Sequence, residues 1–194
     1  MNLKELISQY EPYNAQEEQD KKMILKYLDL FEDVLTRKND IVHFTCSGFV
    51  LNKSRDKVLM VYHNIYHSWS WTGGHADGND NFLEVAIKEV QEETGVQKVN
   101  VLSEKIASLD VLSVLGHIKK GKYVTSHIHI SVAYLLEVEE GENLKIKEDE
   151  NSNVGWLPLS SFLEEVKEEH MKPIYQKIID KAVLDGYIKK TSTK

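Results

Sequence analysis

The sequence predicts an α/β fold, and three observations predict it. The first forty residues repeat apolar positions at helical spacing. From Ile41 onward the chain breaks into short β-rich runs. Among those runs, a glycine-rich loop leads directly into a short helix that carries several carboxylates. A chain of 194 residues is long enough for one sizeable core, or for one domain with a helical appendage, but not comfortably for two independent domains. The expected division is a helical extension over residues 1–40 and one domain over residues 41–190.

In the extension, Asn14 is placed to cap a helix from Ala15 to Thr36, with Glu17 and Glu18 in its first turn. Met23, Ile24, Tyr27, Leu28, Phe31, Val34 and Leu35 form its apolar stripe. Such a stripe must be buried, either on the rest of the domain or on a second copy of the chain, which makes a homodimer reasonable.

His43 to Asn52 and Val58 to His63 then read as strands joined by the polar turn Lys53-Ser54-Arg55-Asp56. Trp69 and Trp71 alternate with serines into Gly73-Gly74, where the backbone can approach a ligand that a side chain would obstruct. The following helix begins near Asn81 or Phe82 and stops at Gly95, a residue type suited to the left-handed cap. At about 100° per residue, Glu89, Glu92 and Glu93 share an arc of roughly 100° on one face. Leu83, Ala86, Ile87, Val90 and Thr94 make the packing face beside them. Clustered oxygen ligands suit a hard divalent cation, Mg2+ or Mn2+.

Val99 to Val114 and Tyr123 to Val138 are expected to form a long antiparallel pair around the basic turn at residues 119–122. Gly141 to Asn153 reads as an acidic loop, and Val154 to Leu157 as a short strand. Ser160 is placed to cap one helix. A second runs from Lys172 to Asp185, with Pro173 in its first turn and Gly186 as its stop, and the Lys-rich tail after Ile188 is expected to fray.

The net charge of −7 and the absence of clustered Lys/Arg at either end argue against a nucleic-acid polymer as partner. Cys46 is the only cysteine, so no internal disulfide forms. No run is apolar enough to span a membrane and nothing resembles a secretory signal. These features point to a reducing cytoplasm, and an acidic site is still open to a phosphate substrate that metal ions bring to it.

Gly74 to Val96 resembles the Nudix box, G-x(5)-E-x(7)-R-E-U-x-E-E-x-G-U, at the same length. Gly74, Glu89, Val90, Glu92, Glu93, Gly95 and Val96 agree with it, while Asp80 replaces the usual Glu and Lys88 the usual Arg. Trp69 is similar to the tryptophan that often precedes the family's glycine pair. The resemblance implies an α/β/α sandwich around a mixed β-sheet, here with an extra N-terminal helix. It also implies metal-dependent hydrolysis of the diphosphate linkage in a nucleoside diphosphate joined to another moiety.

By that resemblance Glu89 and Glu93 are the principal ligands of Mg2+ or Mn2+, with Glu92 and the Gly74 carbonyl contributing. Glu150, in the acidic run before Trp156, is the candidate extra ligand or general base. Asp80 and Lys88 would link loop to helix, with one arm shortened and the guanidinium fork lost. His127 and His129 point the same way in a strand. With His75 and Trp69 they are candidate substrate contacts. The main rival is a non-catalytic nucleotide or metabolite sensor on the same fold, motivated by Asp80 and Lys88. An isopentenyl-diphosphate-isomerase-like enzyme ranks lower, because Cys46 lies in no matching motif.

Overall fold

The structure is a computed structural model that describes residues 2–119 and 121–189. Two helices come first: α1 (Leu3–Gln9), capped by the Asn2 side chain, and α2 (Ala15–Leu30), capped by that of Asn14. Then follow β1 (Val42–Asn52), β2 (Lys57–His63), β3 (Ser68–Ser70), β4 (Thr72–His75) and α3 (Phe82–Thr94). The second half holds β5 (Asn100–Val101), β6 (Ser108–Val114), the hairpin β7 (His117–Lys119) and β8 (Lys122–Val124), and β9 (His127–Val138). It closes with β10 (Asn151–Pro158), α4 (Phe162–Glu165) and α5 (Lys172–Leu184).

β1 is buried along its whole length because it is central in the sheet. It runs parallel to β9 from Val42 opposite Ile128 to Asn52 opposite Val138. It pairs antiparallel with β2 and β4 on its other side, so the sheet is mixed. β10 extends the sheet beyond β2, and β5 and β6 both pair with β9.

Alternate residues of a strand face opposite ways, and here each face has its own core. Phe44, Cys46 and Val50 join Phe82, Ala86 and Val90 of α3. Phe49 and Leu51 join Phe162 and the α5 residues Tyr175 and Ile178. Helices therefore cover both faces, giving the sandwich that the resemblance implied.

α2 docks along β6. The Glu17 carboxylate accepts from the Leu109 amide at 3.4 Å and meets the Lys177 ammonium at 2.9 Å, while Lys177 also meets Asp110 at 2.6 Å. All three side chains are essentially inaccessible to water.

Several boundaries differ from the sequence reading. The helix expected to reach Thr36 ends at Leu30. Phe31 is extended, and the Val34 carbonyl leaves the helical path to accept from the Phe44 amide at 2.8 Å. That bond ties the turn after α2 to β1, and Val34 is buried there without a helix. The long pair is shorter than expected: among the described residues only Ser108–Val114 pairs continuously with β9, and Lys119 and Lys122 pair with each other in the separate β7–β8 hairpin. The last residues of the supposed acidic loop join β10 through an irregularity between Asn151 and Asn153. Ser160 caps nothing, since α4 starts two residues later and has no side-chain cap. Most of the Lys-rich tail lies outside the described residues.

Candidate active site

The local sequence explains why α3 forms where it does. The Asn81 side chain accepts from the Glu84 amide at 3.3 Å, and Gly95 takes φ 77° while its amide bonds back to the Gln91 carbonyl. Phe82, Val85, Ala86 and Val90 are buried, with the Phe82 ring stacked 4.9 Å from Phe44. Leu83 and Ile87, expected to anchor the helix, pack at its margin. The seat therefore lies partly on Phe82 and Val85, which the assumed packing face had left out.

This seat presses the carboxylates against β4. Glu93 is only 5% exposed; one oxygen accepts from the Gly73 amide at 3.4 Å and the other from the Asn151 side-chain amide at 3.5 Å. Glu89 lies against Gly74, the next residue on the strand. Glu92 is more exposed, 3.3 Å from Lys88 and 3.9 Å from Lys147. Glu150, arriving on the turn before β10, pairs with Lys147 at 2.8 Å and lies 3.9 Å from Lys119. Residues as distant as 73, 93, 147 and 150 thus meet because β10 pairs with β2 and α3 packs on β1 and β4.

The electrostatics follow from burial. Desolvation, reinforced by the nearby Glu89 charge, pushes Glu93 up to about 8 although the Gly73 amide pulls the other way. Glu89 is raised too, chiefly by burial, with Lys147 opposing. Burial works against the Lys147 charge, but its bond to Glu150 and the surrounding carboxylates outweigh that and hold its proton more firmly. Lys147 is the counter-charge of this anionic cluster.

The donor set suits a hard divalent cation, since every candidate ligand is oxygen. Asn151 adds a telling feature: it is 1% exposed, and its Oδ1 is buried with no hydrogen-bond partner while its Nδ2 touches Glu93. Glu92, drawn toward Lys88 and Lys147, does not close into a tight triad with Glu89 and Glu93. Beside Glu150 a pocket of about 160 Å³ is lined by His63, Ile65, Ile118, Lys119 and Asp149. Burial pushes His63 down to about 4, so its ring is neutral at ordinary pH, and it stacks on Tyr66 at 4.5 Å.

The other predicted residues lie elsewhere. Asp80 is exposed, and Lys88 pairs with Glu92 four residues on rather than with Asp80. His75 follows Gly74 in an extended strand, so its ring projects from the sheet face opposite Glu89. There it joins His43, His127 and His129. Trp69 packs edge-on against Tyr62 at 5.6 Å, in the core cluster on the α5 side. Cys46 is buried, and desolvation holds its thiol far above the usual range.

Sequence reasoning missed Lys147, Asn151, His63 and His43. Lys147 could have been found as the cation adjoining the acidic run. Asn151 carried no local signal, because its role comes from strand pairing.

Comparison with known proteins bears on the family and the fold. The NUDIX domain family model matches residues 43–178. A probable DHNTP pyrophosphohydrolase of Lactococcus lactis subsp. cremoris (strain MG1363) is 29% identical over 143 residues, covering 71% of this chain and 81% of that protein. Among solved structures, a binary complex of the C. elegans Ap4A hydrolase superposes with a TM-score of 0.54 at 19% identity, covering 74% of this chain and 98% of that one. The E. coli dihydroneopterin triphosphate pyrophosphohydrolase gives 0.52 at 15% identity, over 71% and 95%. At these identities the solved structures speak for the fold.

Proposed function

This chain belongs to the Nudix family, and on that premise we propose that it is a divalent-cation-dependent pyrophosphohydrolase. Its proposed substrates carry a diphosphate linkage between a nucleoside or similar heterocyclic moiety and another group. The observation that carries this reading is the convergence of Glu89 and Glu93 on the Gly73-Gly74 backbone, deep enough that burial alone disfavours both charges. A cation relieves that cost.

In the proposed mechanism Glu89 and Glu93 would hold Mg2+ or Mn2+, assisted by Glu92, the Gly74 carbonyl and the unpartnered Oδ1 of Asn151. When bound, the cation disperses negative charge on the phosphate oxygens and makes a water molecule more acidic. Glu150 accepts the proton from the attacking water. Lys147 and Lys119, already beside Glu150, turn toward the phosphates and steady the leaving oxygen's charge. The pocket beside Glu150 receives the remainder of the substrate, with His63 and Ile118 as its walls.

The relative named for a pterin triphosphate and the Ap4A hydrolase fold neighbour suggest which compounds to try first. Dihydroneopterin triphosphate, dinucleoside polyphosphates, ADP-ribose and nucleoside triphosphates should be incubated with Mg2+ or Mn2+ and the products separated by ion-exchange chromatography. The reading predicts cleavage between phosphates in at least one of them, dependent on added metal. Tight nucleotide binding by calorimetry with no cleavage of any compound would instead establish a sensor.

A further inference from the structure

We propose that His43, His75 and His129 form a second metal site, built for a borderline dication of the Zn2+ class and separate from the carboxylate cluster. This inference goes beyond the hydrolase reading and does not depend on it. The three side chains come from adjacent strands: His43 of β1 lies directly opposite His129 of β9, and His75 ends β4 on the other side of β1. One ring nitrogen from each falls within 4.8 Å of the other two, with ring centroids 4.9–5.2 Å apart. A tetrahedral ion with Zn–N bonds of about 2.0–2.1 Å needs ligand nitrogens roughly 3.3 Å apart, within reach of small ring rotations.

The hydrogen bonding around His43 leaves a lone pair without a partner. His43 Nδ1 lies 2.8 Å from the Asn39 carbonyl, which can only accept, so the proton sits on Nδ1 and Nε2 carries the free pair. That Nε2 is buried with no partner, on a residue only 4% exposed. A polar atom in this state costs free energy unless something meets it. Asn39 is itself fixed, its side chain accepting from the Ile41 and Val42 amides and donating to Asp33. A carbonyl orienting the far nitrogen of an imidazole is the usual outer support of a metal-bound histidine.

His127 repeats the arrangement at the margin. Its Nδ1 is 2.8 Å from the Thr125 carbonyl, so the proton sits there and its Nε2 accepts from the His129 Nε2–H at 3.1 Å; that bond leaves His129 Nδ1 with the free pair, or opens when an ion takes Nε2. Burial keeps the three central rings neutral, pushing His75 down to about 3 and His129 to about 2, and neutral imidazole is the ligand form. An uncharged nitrogen set of this kind offers little to a phosphate and little to Mg2+, which prefers oxygen. The nearby Arg37 already pairs with Asp77 through two hydrogen bonds, so its charge is offset.

The test is a titration of the chelator-treated full chain with Zn2+ in excess Mg2+, followed by calorimetry, and with Co2+ followed by visible absorption. We expect one Zn2+ per chain that Mg2+ does not displace, and Co2+ bands of a nitrogen-ligated, low-coordinate ion. His75→Gln and His129→Gln should each weaken Zn2+ at least about tenfold, whereas Glu93→Gln should leave it unchanged. Nitrogen resonances of the three rings in the unmodified protein, recorded with and without Zn2+, decide the matter should a variant fail to fold. Absence of Zn2+ binding in excess Mg2+, ring resonances that do not move, or binding lost in Glu93→Gln but kept in the histidine variants would overturn the site.

Discussion

A Cβ built on Gly74 would lie 2.3 Å from the carboxylate carbon of Glu89. No side chain fits between them, so this glycine sets how close the strand comes to the carboxylate. Gly74→Ala must push the Glu89 carboxylate aside, and because that is the far end of a flexible side chain the stability cost falls at the low end of the overpacking range, about 1 kcal/mol. Displacement of about 1 Å at reacting groups can cost about a hundredfold in rate. Melting and steady-state assays of Gly74→Ala should show a modest stability loss and a kcat loss of about that size. An alanine variant with full kcat would remove Gly74 from the site.

Lys147 competes with any cation for the same carboxylates, through its 2.8 Å pair with Glu150 and its 3.9 Å approach to Glu92. Because the side chain is partly exposed, solvent screening limits this competition to about 1 kcal/mol. Lys147→Met should therefore tighten Mg2+ binding by a few-fold in calorimetry while slowing turnover. Weaker Mg2+ binding would mean that Lys147 organises the carboxylates rather than competing for them.

Between α2, β6 and α5, Lys177 pairs with two buried carboxylates, Glu17 and Asp110, and Lys181 lies 3.9 Å from Glu17. Removing one partner of such a group leaves uncompensated charge, at about 3–5 kcal/mol. Lys177→Met should lower ΔG of unfolding in urea by about that amount, with activity per folded molecule retained. A loss under about 1 kcal/mol would show that water or relaxation already screens the cluster.

Glu17 also gives the fold an acid limit. Burial alone would raise its pKa, but the Tyr13 amide and the Lys177 ammonium more than reverse this and hold it below the ordinary 4.5. A group depressed on folding contributes stability that is fully present above its unfolded value and is lost as pH falls through its folded value. The melting temperature should thus drop below about pH 4.5, and Glu17→Gln, already destabilised, should show a shallower drop over that window. Equal acid slopes for both proteins would place the sensitivity elsewhere.

How much of this was legible in the sequence depended on range. The strand–loop–helix from Trp71 to Val96 was readable because its signals are local: alternation, a glycine pair, the Asn81 cap and Gly95. The end of α2 was not, because Val34 is diverted by a bond to Phe44 that exists only once β1 is in place. Asn151 and Lys147 reach Glu93 and Glu150 through the β10–β2 pairing, which no spacing encodes. The parallel register of β1 and β9 likewise brings His43 to His129, turning a pair of strand histidines into a cluster on the opposite face from the carboxylates.

The central proposal is that Glu89 and Glu93 hold the cation. The most direct measurement is the metal-dependent hydrolysis rate of Glu89→Gln and Glu93→Gln on the best substrate, alongside Mg2+ affinity and a melting curve for each. Each variant should stay folded and melt close to the parent's temperature in the absence of metal, because burial already disfavours the charge that is removed, yet lose more than about a hundredfold in kcat/KM and bind Mg2+ more weakly. Hydrolysis at the parental rate by either well-folded variant would contradict it.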